Sequence, residues 1–135
     1  MYSAFESEII IRPDDIDMNN HVHNTKYLDF VLAARYEQMT RDYKMSMTEF
    51  LKLGYNWVVS TTHIDYKRML KLNDKIIVKT QIENVNGAQA RVKFWIIKKD
   101  TLKVAAEGYL NYTMISLKTG KPTRIPDDII GKYSI

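Results

Sequence analysis

The sequence predicts an α+β fold in which one long helix covers an antiparallel β-sheet. A strand-like segment comes first, a long segment with apolar residues at three- and four-residue steps follows it, and most of the remaining chain alternates with a period of two. The connections NVNGAQ and KKDT between alternating segments are short enough for β-hairpins, so the neighbouring strands run antiparallel. Such a sheet must bury one face, and the long helix is the element available to cover it.

The first two predicted elements are a strand and the long helix. Residues 5 to 12, FESEIIIR, form a strand that stops at Pro13, because proline donates no ladder hydrogen bond and restricts the residue before it. The helix spans residues 25 to 43, with Asn24 or Thr25 as its cap. The side chains that recur at helical spacing are Leu28, Val31, Leu32, Arg35, Tyr36 and Met39.

A short helix and four strands are predicted next. The short helix covers residues 46 to 53 and ends at Gly54, in the usual C-terminal position. The strands are rich in β-branched and aromatic residues and cover 55 to 66, 74 to 84, 90 to 98 and 102 to 117. The tail, residues 118 to 135, has two prolines and two glycines and is predicted to be a loop with a weakly ordered end.

The composition fits one globular domain, residues 1 to 135, with 45% hydrophobic and 27% charged residues. The absence of cysteine excludes disulfides, a thiolate nucleophile and any cysteine-ligated metal. No run approaches the ~20 apolar residues of a membrane helix, and no basic leader opens the chain, so we expect a cytoplasmic protein without a membrane partner. The 20 basic residues are scattered along the chain, which argues against a nucleic-acid partner.

The stretch PDDIDMNNHVHNTKY, residues 13 to 27, concentrates polar side chains just before the long helix. The spacing of Asp15, Asp17 and Asn19 imitates the start of a calcium-binding EF-hand loop. The imitation fails because Asn20 stands where that loop needs glycine and Lys26 where it needs a bidentate glutamate.

A transition-metal site is equally poorly supported by this stretch. His21 and His23 could bind zinc only with further ligands nearby, and His63 is the one remaining histidine. The sequence therefore predicts no metal site.

A carboxylate, an amide and an imidazole, those of Asp17, Asn19 and His21, precede the helix N-terminus. That terminus exposes unpaired amides and the positive end of the helix dipole, which together favour a developing oxyanion. A carboxylate opposite can act as base or nucleophile, so the arrangement suits acyl transfer. The structural alternative is that these residues form turns and caps, and we expect it to hold for Asp14, Asp15 and Asn20.

The stretch from Arg12 to Arg35 resembles the signature of hotdog-fold thioesterases of the 4-hydroxybenzoyl-CoA thioesterase-like group, especially acyl-ACP thioesterases, approximately R-x-x-D-x-D-x-N-x-H-V-N-N-x-x-Y. The likeness continues through HIDYKRMLKLNDKI and the closing S-L-x-T-G-K-P, so it covers most of the chain. The matching residues are Arg12, Asp15, Asp17, Asn19, His21, Val22, Asn24 and Tyr27.

This resemblance implies a curled antiparallel sheet around one central helix and hydrolysis of acyl thioesters of coenzyme A or acyl carrier protein, without a cofactor. Asp17 would be the general base or nucleophile, Asn19 and His21 would orient water or the thioester, and the backbone amide at or near Asn24 would polarise the carbonyl. It also implies a homodimer or homotetramer with the active site between subunits. Tyr27 and Tyr66 are expected to pack rather than react.

The chain departs from the family pattern in three places. Plant acyl-ACP thioesterases have a cysteine where Leu70 falls here, so any mechanism must depend on Asp17. Asn20 replaces a frequent glycine, and His23 an asparagine. Two alternatives stay open: a non-catalytic acyl-thioester binding module, and a hotdog dehydratase, whose histidine-bearing helix motif is missing. The basic residues Lys67, Arg68 and Lys71 are expected at a solvated strand end, with the phosphates of the carrier as the alternative.

Overall fold

The computed structural model describes residues 2–135 and contains one five-stranded sheet in the order β1-β3-β4-β5-β2. Every neighbouring pair of strands is antiparallel. The strands are β1 Ala4–Ile10, β2 Tyr55–Tyr66, β3 Lys75–Asn86, β4 Gln89–Lys98 and β5 Val104–Ser116. The predicted α+β fold with an antiparallel sheet is confirmed.

Strands β3, β4 and β5 form the predicted meander. The hairpin between β3 and β4 turns at Gly87, whose φ of 63° lies in the left-handed region that glycine enters without steric cost. β2 does not pair with β3, which follows it in sequence, but lies at the far edge of the sheet against β5. Gly108 permits this pairing, because a Cβ built there would lie 1.8 Å from the His63 carbonyl oxygen.

Among residues 2–135, three α-helices accompany the sheet: α1 Asn24–Arg41, α2 Met47–Lys52 and α3 Asp127–Tyr133. α1 packs against β1, β3 and β4. Its buried face contains Tyr27, Phe30, Val31, Ala34, Arg35, Gln38 and Met39. α2 begins with a capping box in which Ser46 Oγ accepts from the Glu49 amide and the Glu49 carboxylate accepts from the Ser46 amide. Among residues 2–135, no helix is long and apolar enough to cross a membrane.

The core consists of two clusters along α1. The first contains Tyr27, Phe30 and Val31 from the N-terminal half of the helix, with side chains from the facing strands. The second surrounds the C-terminal half and contains Met39, Tyr43 and Phe50 together with Ile129 and Tyr133 of α3.

The prediction of a loop at the C-terminus is wrong. Residues 127–133 form α3, whose Ile129 and Tyr133 are four residues apart and both buried. The Tyr133 ring stacks on Tyr43 with centroids 4.3 Å apart, and its hydroxyl donates to the Met45 carbonyl at 2.9 Å. α2 and α3 therefore help α1 to cover the core, so the long helix is not the only covering element. α3 was not predicted because the apolar pattern is short and prolines and glycines surround it, which is typical of loops.

Candidate functional site

The segment between β1 and α1 is a closed polar turn. Ile16 and Val22 form an antiparallel bridge. Within the turn, the Asp17 amide donates to the His21 carbonyl at 2.8 Å and the Asn20 amide donates to the Asp17 carbonyl at 3.1 Å. Asn20 has φ 60°, a conformation that asparagine tolerates better than most residues. The backbone of residues 16–22 is thus fixed by its own hydrogen bonds, and Asn20 acts as the turn residue that the sequence predicts.

The Asp17 carboxylate lies inside this turn. Its Oδ1 accepts hydrogen bonds from the amides of His21, at 3.1 Å, and Asn19, at 2.8 Å. The hydrogen bond from the His21 amide, together with that from the Asn19 amide and the electrostatic contribution of the nearby imidazoles, lowers the pKa of Asp17 below its ordinary value. The group is therefore ionised at neutral pH. Oδ2 accepts no hydrogen bond from the described residues.

Asn19 and His21 meet Asp17 through their backbones. Asn19 is exposed, His21 is half-buried, and neither side chain makes a hydrogen bond to a described residue. The structure thus brings the three predicted site residues together on one turn and leaves the amide and the imidazole without a partner in the described chain.

Asp15 has a different environment, although it is two residues from Asp17. It is buried, its Oδ2 accepts from the Arg12 amide at 2.8 Å, and Lys26 Nζ lies 4.0 Å from its Oδ1. The Asp15 carbonyl also accepts from the His23 amide at 2.9 Å. Asp15 holds the approach to α1, in agreement with its predicted structural role.

α1 begins at Asn24, directly after this turn. The amides of Asn24 and Thr25 belong to the first helical turn, whose N–H groups have no partner within the helix, and no hydrogen bond among the described residues uses them. The prediction of Asn24 or Thr25 as the cap is wrong. His23 occupies the N-cap position without a side-chain hydrogen bond, because the chain is positioned there by backbone hydrogen bonds instead.

Tyr66, at the end of β2, connects that strand to the start of α1. Its hydroxyl donates to the Asn24 carbonyl at 3.1 Å, and its ring contacts Tyr27 edge-on with centroids 5.1 Å apart. Both tyrosines pack, as the sequence predicts. The carbonyl of buried Leu70 accepts from the Val22 amide at 2.8 Å, which anchors the far end of the turn.

The neighbouring basic residues are engaged within the chain. Lys67 lies 3.5 Å from Glu107, and Arg68 donates to the Val104 carbonyl at 2.6 Å. Lys67, Arg68 and Lys71 are all exposed at the end of β2, in line with the solvated strand end predicted for them.

Sequence reasoning missed one unusual side chain, Arg35. It counted as a member of the helical pattern but is buried, with 7% of its surface exposed. The available signal was its position between Val31 and Met39, at four-residue spacing on the apolar stripe of α1.

No group of three or more potential metal ligands occurs among residues 2–135. The arrangement combines an ionised carboxylate on the turn that leads into α1 with amides at the start of that helix that have no acceptor among the described residues. The first can accept a proton or attack an electrophile, and the second can stabilise negative charge on an oxygen.

Comparisons with known proteins point to one family. The model of the thioesterase-like superfamily matches residues 11–132. Two similar proteins are the long-chain acyl-CoA thioesterase FadM of Escherichia coli, 23% identical over 92% of each chain, and the acyl-CoA thioesterase YbgC of Haemophilus influenzae, 26% identical over 94% of this chain and 92% of that one. Among solved structures, a DHNA-CoA thioesterase from Staphylococcus aureus superposes with a TM-score of 0.88 at 22% identity, covering 97% of this chain and 89% of that one.

Proposed function

Since this chain belongs to the thioesterase-like superfamily, we propose that it hydrolyses acyl-CoA thioesters to a free acid and a thiol. Its fold is the hotdog fold of that group. The observation that carries the proposal is the position of the ionised Asp17 carboxylate. It lies on the polar turn that leads into α1, whose first amides have no acceptor among the described residues. The two relatives above are named as acyl-CoA thioesterases, which supports coenzyme A as the carrier.

Asp17 is the reacting group in this proposal. In the general-base route, its carboxylate removes a proton from water as the water oxygen attacks the thioester carbonyl carbon. Collapse of the tetrahedral intermediate breaks the C–S bond, and the proton passes to the leaving thiolate. In the nucleophilic route, a carboxylate oxygen attacks the same carbon and expels the thiolate, which forms an anhydride; water hydrolyses the anhydride to the free acid and the Asp17 carboxylate, and the thiolate takes up a proton from water. Oδ2 suits either route because Oδ1 already accepts two amides.

The start of α1 stabilises the charge that develops on the carbonyl oxygen. The Asn24 amide has no acceptor among the described residues, and the helix dipole places roughly half a positive charge at this end. An oxyanion bound there gains both interactions without rearrangement of the protein. The side chains of Asn19 and His21 orient the water or the thioester, and a neutral imidazole can donate one hydrogen bond while accepting another.

The active enzyme is a homodimer or homotetramer of this one domain, residues 1 to 135. None of the twelve residues of β2 is buried, and Val58 and Val59 are 39% and 38% exposed. α1 packs on β1, β3 and β4 rather than on this strand. Beyond Trp57, which contacts Phe50 of α2, β2 is a long exposed edge strand that favours pairing with a second chain, and Tyr66 brings its end to Asn24. A monomer that keeps full activity at micromolar concentration in size-exclusion chromatography would contradict this assembly.

A panel of acyl-CoA and acyl-ACP substrates, read by thiol release, tests the proposed activity. We expect release of free coenzyme A from at least one acyl-CoA. Binding without release would support the non-catalytic acyl-thioester module, and loss of water from a hydroxyacyl thioester without thiol release would support the dehydratase. Preference for acyl-ACP would support the hydrolase activity but show that the substrate's carrier is acyl carrier protein rather than coenzyme A.

A further inference from the structure

An apolar cavity lies between the C-terminal half of α1, the sheet and α3. It has a volume of about 50 Å³, several times the ~10–15 Å³ that one water molecule needs, and it is partly open to solvent, so a longer ligand can extend out of it. Its walls include Met39, Trp57, Val92 and Ile129. Arg35 is the one charged residue among the described residues that line it.

The Arg35 guanidinium is held rigidly at the cavity wall. Nη1 donates to Thr80 Oγ1 at 3.3 Å. The Thr80 hydroxyl donates in turn to Gln38, whose amide donates to Ser7 Oγ at 3.1 Å. The guanidinium also lies over the Tyr43 ring, 5.4 Å from its centroid. This buried chain of hydrogen bonds fixes one edge of the guanidinium.

One nitrogen of the guanidinium, Nε, is unsatisfied. Nε is buried and has no hydrogen-bond partner among the described residues. Arg35 forms no ion pair with a described residue. The Tyr112 side chain is hydrogen-bonded to Arg35, but burial raises the pKa of both Tyr112 and Tyr133, which line the same cavity, so their phenols stay neutral and supply no counter-charge. A buried charge without a partner is costly, and buried charges in proteins are normally paired.

We propose that this cavity binds a short-chain aliphatic carboxylate, with the carboxylate on the Nε edge of Arg35 and the chain against the apolar walls. The guanidinium fork matches a carboxylate and can donate two parallel hydrogen bonds to it. Arg35 is eleven residues along α1 from Asn24, or roughly 16 Å at the helical rise. The site is therefore separate from the Asp17 turn and does not depend on hydrolysis there.

Titration with sodium hexanoate tests the site, with sodium chloride at equal ionic strength and hexanamide as the ligand controls. In a Trp95→Phe background, Trp57 is the remaining tryptophan and reports on the cavity wall. We expect hexanoate to change Trp57 fluorescence saturably and to raise Tm with concentration, because a ligand that binds only the folded state stabilises it. Chloride should do neither, and hexanamide should bind at least about tenfold more weakly, since it lacks the charge. Equal binding of hexanamide would overturn the proposal.

Arg35→Met and Arg41→Met form the matched pair of protein variants. Arg41 is on the same helix but half-exposed, paired with Glu37 and Asp42. Arg35→Met should weaken hexanoate binding at least about tenfold while Arg41→Met leaves it unchanged. If Arg35→Met does not fold, Arg35→Lys should show the same weakening, because lysine keeps the charge without the fork. No hexanoate binding to the unsubstituted chain, or unchanged binding in the Arg35 variants, would overturn the proposal.

Discussion

The two ends of α1 face different surroundings. Its N-terminal end follows an exposed polar turn and leaves the Asn24 amide unpaired, whereas its C-terminal half is enclosed by α2, α3 and the sheet. The turn is held by backbone hydrogen bonds that need little apolar burial. The enclosed half depends on aromatic packing around Tyr43 and Phe50. One helix thus leaves the amides of its first turn unpaired at the surface, while the rest of its length is anchored in the core.

The largest effect on stability is expected from Phe50→Ala in the enclosed half. Phe50 is fully buried and contacts the rings of Trp57 and Tyr133 at centroid distances of 5.6 and 5.9 Å. Removing such a ring costs about 3–5 kcal/mol, measured by urea unfolding. Leu51→Ala, at an exposed neighbouring position of α2, is the control and should change stability little. If the two ends of α1 act independently, the folded fraction of Phe50→Ala should have the same kcat as the unsubstituted protein. A kcat per folded molecule that falls along with the stability would contradict this independence.

The pH dependence of activity sharpens the assignment at the N-terminal end. The depressed pKa of Asp17 means that its carboxylate is ionised above its folded-state pKa and becomes protonated only as the pH falls through that value. The acid limb of kcat/KM should therefore lie below about 3.9, the ordinary aspartate value, and the profile should be flat toward neutral pH. The limb reports the free enzyme. An acid limb close to neutral pH would show that a group other than Asp17 controls the activity.

The smallest effect is expected from metal removal. The sequence predicts no metal site, and the proposed mechanism needs only the carboxylate and the helix amides. Dialysis against a strong chelator should leave kcat unchanged, measured by thiol release. Loss of activity that one specific divalent ion restores would show that a bound metal, rather than the helix amides alone, polarises the thioester carbonyl, and would contradict the prediction.

The long periodic elements could be predicted from the sequence, because many residues contribute to each pattern. β2 has the predicted bounds, Tyr55–Tyr66, and α1 differs from its prediction by one or two residues at its ends. α3 could not be predicted, since it has seven residues and only two buried side chains, and its stability depends on contacts with Tyr43 and Met45 that are distant in sequence.

The sequence indicates which residues belong to the candidate site, but it does not indicate the hydrogen bonds that connect them. The family pattern and the spacing before the helix both select Asp17. Neither reveals that the amides of Asn19 and His21 bind one of its oxygens and leave the other free. Arg35 was hidden for a related reason, because a periodic pattern locates a side chain on a helix face without telling whether a partner for its charge lies opposite.

The kcat of Asp17→Asn tests most directly whether the N-terminal end of α1 performs the chemistry. An asparagine Oδ1 can still accept the amides of Asn19 and His21, so the turn should persist and Tm should stay within a few degrees. General acid–base groups contribute on the order of 10²–10⁴ in rate, and we expect kcat to fall by about that factor, with a much smaller loss in Asp15→Asn. A kcat near that of the unsubstituted enzyme in Asp17→Asn would contradict the account and make the turn a structural element alone.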